Sequence, residues 1–247
     1  MQVIIADDKT DLDARAAELG VQLIKKAISE HGHANIILAT GTSQIGMLED
    51  LVKPEHDVPW DKVTAFHLDE FVGIADDHPA SFRKYLLERF VAHAPGVEFV
   101  PVEADAEDMV AELTRLTDRL DQTRIDLCYC GIGENCHLAF NEPPANFESG
   151  SAFIGVQLDD VSRVQQVKEG WFSDLDAVPR TAITMTIPQM MKAEQIICVA
   201  PDERKAEAVK HTISGPVDPM YPASILQTHQ NAVVFLDPQS AGLLETA

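Results

Sequence analysis

The feature that most constrains this chain is an alternation that runs along its whole length. Short apolar runs of strand character are followed by segments whose apolar residues recur at helical spacing. Val3–Ala6 leads into an Asp-rich helix start at Asp7–Asp11, after which Leu12, Ala16, Leu19, Leu23 and Ala27 mark one buried helical face. Asn35–Ala39 reads as a strand and Gln44–Lys53 as a helix; Val63–Leu68 and Pro79–His93 repeat the pair. Val97–Val100 is extended, and Met109, Leu113, Leu116 and Leu120 predict the next helix. Ile125–Cys130 is a continuous apolar run, as in a central parallel strand, and it stops at Gly131-Ile132-Gly133. Strands at Ala182–Ile187, Gln195–Ala200 and Ala232–Leu236, with a helix at Glu203–Ile213, complete the pattern. The expected fold is α/β: a doubly wound, mainly parallel, Rossmann-like sheet with helices on both faces, in one domain spanning 1–247.

Charge and cysteine usage narrow the function classes. Against 40 Asp and Glu the chain carries 19 Lys and Arg, a formal net charge of −21. Nucleic acid needs a basic face, and an anionic membrane surface would repel such a protein, so neither is expected as a partner. No apolar stretch has the length of a transmembrane helix, and MQVIIADDKTD lacks the basic flank of a signal peptide. Cys128, Cys130, Cys136 and Cys198 contain no C-x-x-C pair, which fits neither a zinc knuckle nor a disulfide framework. A reduced, cytoplasmic protein is expected, with no zinc knuckle.

In open α/β sheets ligands bind beyond the carboxyl ends of the strands. Three polar stretches fall there. Thr40-Gly41-Thr42-Ser43 offers a tight turn with hydroxyls and amides for a phosphate, and reads equally well as a Thr/Ser helix cap. His67-Leu68-Asp69-Glu70-Phe71 sets two carboxylates after a strand; a desolvated Asp is a general base, whereas a solvated acidic turn is the plainer reading. The richest stretch runs from Cys130 to Pro143. Its glycines allow close backbone approach, His137 can exchange a proton near neutral pH, and Glu142 can hold one. Among the bases, Lys205, Lys168, Arg83, Lys84 and Arg204 are ordinary surface charges unless a ligand gathers them, and His229 reads as a core or capping residue.

Taken in order, LATGTS (Leu38–Ser43), FHLDEFVG (Phe66–Gly73), HPASF (His78–Phe82), GIGENCHLAFNEP (Gly131–Pro143), VPRTAITMTI (Val178–Ile187), KAEAV and PASILQTH (Pro222–His229) resemble the glucosamine-6-phosphate deaminase/isomerase family from about Ile36 to Asp237. The resemblance implies conversion of an amino-sugar 6-phosphate and water to a ketose 6-phosphate and ammonia, without metal or organic cofactor. It implies Asp69 as the base moving a proton between C2 and C1, and His137 as the group that opens the ring, oriented by Glu142 and by residue 135. Thr40, Gly41, Thr42 and Ser43 would hold the phosphate with Lys205, and Lys168 stands where the family typically has an Arg.

The chain departs from that pattern at Asn135, where the well-studied enzymes have Asp, and at Cys136, usually Gly. Asn135 is expected to accept the imidazole N–H through its carbonyl, with Glu142 supplying the missing anion. Phe153-Ile154-Gly155-Val156 carries no cation where activated relatives are basic, and the chain stops at Ala247 without the longer extension of the hexameric enzymes. The expectation is a monomer or small homo-oligomer that is not allosterically activated. The resemblance leaves a galactosamine 6-phosphate deaminase, a 6-phosphogluconolactonase and a non-catalytic sugar-phosphate sensor as the alternatives, in that order.

Overall fold

A computed structural model describes residues 1–245. Its centre is a seven-stranded parallel sheet made of β1 (Gln2–Ile5), β2 (Ala34–Leu38), β3 (Val63–His67), β5 (Glu98–Val100), β6 (Leu127–Cys130), β9 (Gln195–Val199) and β10 (Ala232–Leu236), in the order β1-β10-β9-β6-β2-β3-β5. The apolar runs of β2, β3, β6 and β9 are almost wholly buried, as strands covered on both faces must be. Helices α1 (Lys9–His31), α2 (Ile45–Leu51), α3 (Phe82–Arg89), α4 (Met109–Asp121), α5 (Asp160–Lys168), α6 (Ile187–Met190) and α7 (Ala206–Ser214) join and flank the strands. The helix start read at Asp7–Asp11 is real: Asp8 caps α1 by accepting from the Asp11 N–H at 2.9 Å.

Strand order decides where a ligand can sit. From β2 the chain winds outward through β3 to β5, whereas from β6 it winds the other way through β9 to β10. The two directions part between β2 and β6, which pair through Ile36–Leu127 and Ile37–Cys128. Loops leaving the carboxyl ends of these strands diverge and leave a crevice.

A second sheet was not legible in the sequence. Residues Asp69–Phe71 are not a solvated turn but a short strand, β4, paired antiparallel with β8 (Thr181–Met185), which pairs in turn with β7 (Phe153–Gln157). The Ala182–Ile187 run therefore belongs to this three-stranded antiparallel sheet and not to the parallel one. The helices read at Gln44–Lys53 and Pro79–His93 are shorter, each with a 3-10 turn at one end. Under the small sheet lies an apolar cluster of Phe71, Phe82, Phe140 and Phe172, packed with ring centroids 5.0–6.0 Å apart. This cluster fixes the heights of β4 and of the segment after β6, and both of these reach the crevice.

Candidate active site

The crevice has an open volume of about 620 Å³ and is lined by Thr40–Ser43 after β2, Asp69 on β4, Gly131, Gly133 and His137 after β6, Gln165, Gln166 and Glu169 on and just after α5, and Lys205 ahead of α7. Its lining of hydroxyls, amides, carboxylates and an ammonium suits a small polar ligand.

The Thr40–Ser43 turn owes its shape to Gly41, whose φ of 95° few side chains tolerate. The Tyr85 hydroxyl donates to the Gly41 carbonyl at 3.0 Å, and Gln44 Nε2 donates to the Val199 carbonyl at 3.2 Å, tying the turn to α3 and to β9. Lys205 closes this end of the crevice. It is only 3% exposed, and burial pulls its ammonium below the usual lysine range while Glu169 and Glu134 act against that pull. Glu169 is held in place by Gln165 Nε2 at 2.8 Å and Trp171 Nε1 at 3.2 Å. Lys168 is not part of this crevice. It lines an adjoining surface depression that shares Thr42, Ser43 and Glu169 with it, because the end of α5 turns residue 168 outward.

Asp69 and Glu70 point to opposite sides of β4, as neighbours on a strand must. Glu70 turns inward and accepts from Phe71 N, Ser81 Oγ, Phe82 N and Arg83 N at 2.9–3.1 Å, pinning the first turn of α3. Arg83, one of the visible bases in the sequence, is buried in the same knot and donates to the Ile74 carbonyl at 2.8 Å. Asp69 turns to the crevice at 6% exposure. Burial, then the Glu70 charge beside it, push its carboxyl well above the usual Asp range.

Opposite stands His137. Its ring lies so close to Gly133 that a Cβ there would collide with the imidazole. Nδ1 faces the protein, 3.0 Å from Ser162 Oγ and 3.5 Å from Glu142 Oε2. Burial would raise the Glu142 carboxyl, but the imidazole, Ser162 and the Asn135 amide together hold it below the ordinary Glu value. The expected bond from the imidazole to the Asn135 carbonyl is not formed. Asn135 Oδ1 accepts from the His137 backbone N–H at 3.2 Å, and Nδ2 donates to Glu142 Oε2 at 2.7 Å and Asp159 Oδ2 at 2.9 Å. Only this orientation of the amide serves all three partners. Among the described residues, no group of three or more His, Cys, Asp or Glu is arranged to hold a metal ion.

Residues 7–235 match the family described as glucosamine-6-phosphate isomerases/6-phosphogluconolactonase. The chain belongs to that family. Its similar relatives include a glucosamine-6-phosphate deaminase of Listeria monocytogenes serotype 4a, 37% identical over 245 residues and covering 99% of this chain and all of that one. One from Lactobacillus delbrueckii subsp. bulgaricus is 31% identical with the same coverage. Among solved structures, a monomeric glucosamine-6-phosphate deaminase superposes with a TM-score of 0.89 at 30% identity, covering 98% of this chain and 100% of that one. A 6-phosphogluconolactonase from Trypanosoma brucei reaches 0.80 at 17% identity over 99% and 98% of the two chains, and shares the fold.

Within this isomerase/lactonase family, the geometry accounts for one of the two departures directly. Cys136 has a φ of 71°, the left-handed region in which the glycine usual at this position is unstrained. Its thiol is buried against α7, 3.5 Å from the Ala208 carbonyl and 3.3 Å from Thr212 Oγ1, contacts a glycine lacks. Sequence reasoning missed the contribution of α5. Asp159 caps it by accepting from Ser162 N at 2.7 Å, and Ser162, Gln165, Gln166 and Glu169 then face the site. Asp159 is a residue type that announces a helix start, but nothing in it says which strand ends that helix will cover. His229 is structural, as read: Nε2 is 2.9 Å from the Ala193 carbonyl and Nδ1 accepts from Asn231 N.

Proposed function

We propose that this chain converts glucosamine 6-phosphate and water to fructose 6-phosphate and ammonia. The observation that carries this reading is the placing of Asp69 and His137 in one crevice whose far end is formed by Thr40–Ser43 and a buried lysine. The phosphate is taken by the Thr40–Ser43 turn, where hydroxyls and backbone amides converge, with Lys205 as its counter-charge. Lys168, in the adjoining depression, adds charge at the mouth rather than a direct contact.

His137, with Nδ1 held by Ser162 and Glu142, offers Nε2 to the ring oxygen and C1 hydroxyl. It gives a proton to one and takes a proton from the other, so the pyranose opens. Glu142, kept ionised, steadies the imidazolium that forms transiently. Asp69 then takes the proton from C2 while the C1 carbonyl oxygen gains one, giving an enediol-type intermediate that carries the amine on C2, and the proton returns at C1 to leave a C2 imine. A carboxylate with a raised pKa is the stronger base, and its desolvation removes competing water. Water adds to C2 and ammonia leaves from the same carbon, which becomes the ketone and completes the deamination.

The same reading has the protein working on a small phosphosugar, in the cytoplasm, as a monomer or small assembly. Strand β7 presents Phe153–Val156 with no cation for an anionic activator, which supports unregulated, hyperbolic kinetics. No helix among the described residues is long and apolar enough to cross a membrane.

The test is ammonia release by the purified protein with glucosamine 6-phosphate, galactosamine 6-phosphate and 6-phosphogluconolactone in parallel. Ammonia from the glucosamine epimer alone is expected. Ammonia from the galactosamine epimer alone would move the protein to another pathway, and lactone hydrolysis without ammonia from either sugar would overturn the deaminase reading. Binding without turnover would make it a sensor.

A further inference from the structure

The side chains behind His137 form a closed ring. Glu142 Oε2 stands 3.5 Å from Nδ1 and accepts from Asn135; Asn135 Nδ2 also donates to Asp159; Asp159 Oδ1 accepts from Ser162 N; and Ser162 Oγ stands 3.0 Å from Nδ1 again. Two carboxylates, distant in sequence, thus share one amide. Both imidazole neighbours, Glu142 and Ser162, are held through Asp159, one by way of Asn135 and the other by way of the first turn of α5. From these contacts we propose that Asp159 is a positioning residue for His137 and that Asn135 is its obligatory neutral partner, the shared donor that lets the Glu142 and Asp159 side chains sit side by side.

Resting on the deaminase reading, this makes a specific claim about position 135. An Asp there would turn three carboxylates toward one point, with no donor among them. The other charges nearby are engaged elsewhere: Asp160 pairs with Arg163 at 3.0 Å, Arg163 also donates to the Leu175 and Val178 carbonyls, and Glu134 lies 3.4 Å from Arg204. Among the described residues the base in contact with this group is His137, and an imidazole held there as a cation is unable to take a proton from the sugar. The family's more usual residue at 135 is therefore harmful in this chain.

The test is a double-mutant cycle on Asn135→Asp and Asp159→Asn, read by kcat, KM and pH profile on glucosamine 6-phosphate, with melting temperature as a folding control. Asn135→Asp is expected to lower kcat about 10- to 100-fold with little change in KM. Its activity relative to the parent rises as the pH falls, because a proton taken up by the three acids restores one donor. Asp159→Asn alone costs a few-fold. The double variant regains at least about fivefold over Asn135→Asp, since the amide introduced at position 159 returns a donor to the carboxylate at position 135. Recovery is partial because that carboxylate still meets Glu142. A merely structural role would lower all three variants evenly across pH, and the two losses would multiply. That result, or Asn135→Asp as active as the parent, overturns the proposal. Should Asn135→Asp fail to fold, a folded and active double variant supports the coupling and an unfolded one refutes it. If the parent itself releases no ammonia, the reaction is wrong, and the same coupling is then decided by whether the double variant melts above Asn135→Asp.

Discussion

Two pairs of carboxylates in this molecule behave in opposite ways. Asp69 and Glu70 are adjacent in sequence yet part at the strand, one into the crevice and the other into a knot of four donors. Glu142 and Asp159 are far apart in sequence yet converge on a single amide. In the first pair the difference in donors separates the roles. Glu70 fastens α3 through four donors, while Asp69, facing the crevice with no comparable set among the described residues, has its carboxyl pushed well above the usual Asp range by burial and then by the Glu70 charge. In the second pair both groups accept from one amide nitrogen behind an imidazole. A carboxylate's task here is set by who donates to it, and sequence proximity is a poor guide to that.

The largest expected effect breaks the first pair. Asp69→Asn should lower kcat by about 10²–10⁴ while leaving phosphate affinity intact, measured by ammonia release and by competition with inorganic phosphate. Glu70→Ala should leave Phe82 N, Arg83 N and Ser81 Oγ without their acceptor and destabilise the fold by about 3 kcal/mol in denaturant melts, with activity falling only as α3 loosens.

The next effect is one of sign. A carboxyl whose pKa is higher folded than unfolded binds more protons in the native state, so its ionisation destabilises the fold as pH rises above about 4. Asp69→Asn should therefore melt above the parent at pH 7.5, with the gain vanishing near pH 4. Glu142 is shifted the other way and contributes stability at neutral pH that is lost in acid. Glu142→Gln should melt below the parent at pH 7.5 and approach it as the pH falls. Parallel trends in the two variants would mean that the donors do not distinguish them.

The smallest effect supplies a control. The Tyr129 hydroxyl is buried under α1 with no hydrogen-bond partner among the described residues, and it borders no ligand site. Tyr129→Phe should stabilise the protein by about 1 kcal/mol without touching kcat, as removal of an unpaired polar atom should when no chemistry depends on it.

The parallel scaffold and three of the strand ends that matter follow from local sequence. Continuous apolar runs such as Ile125–Cys130 can be satisfied only by burial on both faces, and Gly41 and Gly133 mark where the backbone must turn or admit a ring. Sequence also placed Asp69, His137, Glu142, Thr40–Ser43 and Lys205 as candidates, all but Glu142 lining the crevice itself. It did not yield the antiparallel sheet of β4, β8 and β7, because strands of three to five residues, joined across more than a hundred residues, leave little local periodicity to read. Nor did it fix the direction of the Asn135 amide, the outward turn of Lys168 or the arrival of Ser162 at the imidazole. Those depend on where α5 docks, and its docking is decided by contacts between residues that only the folded chain brings together.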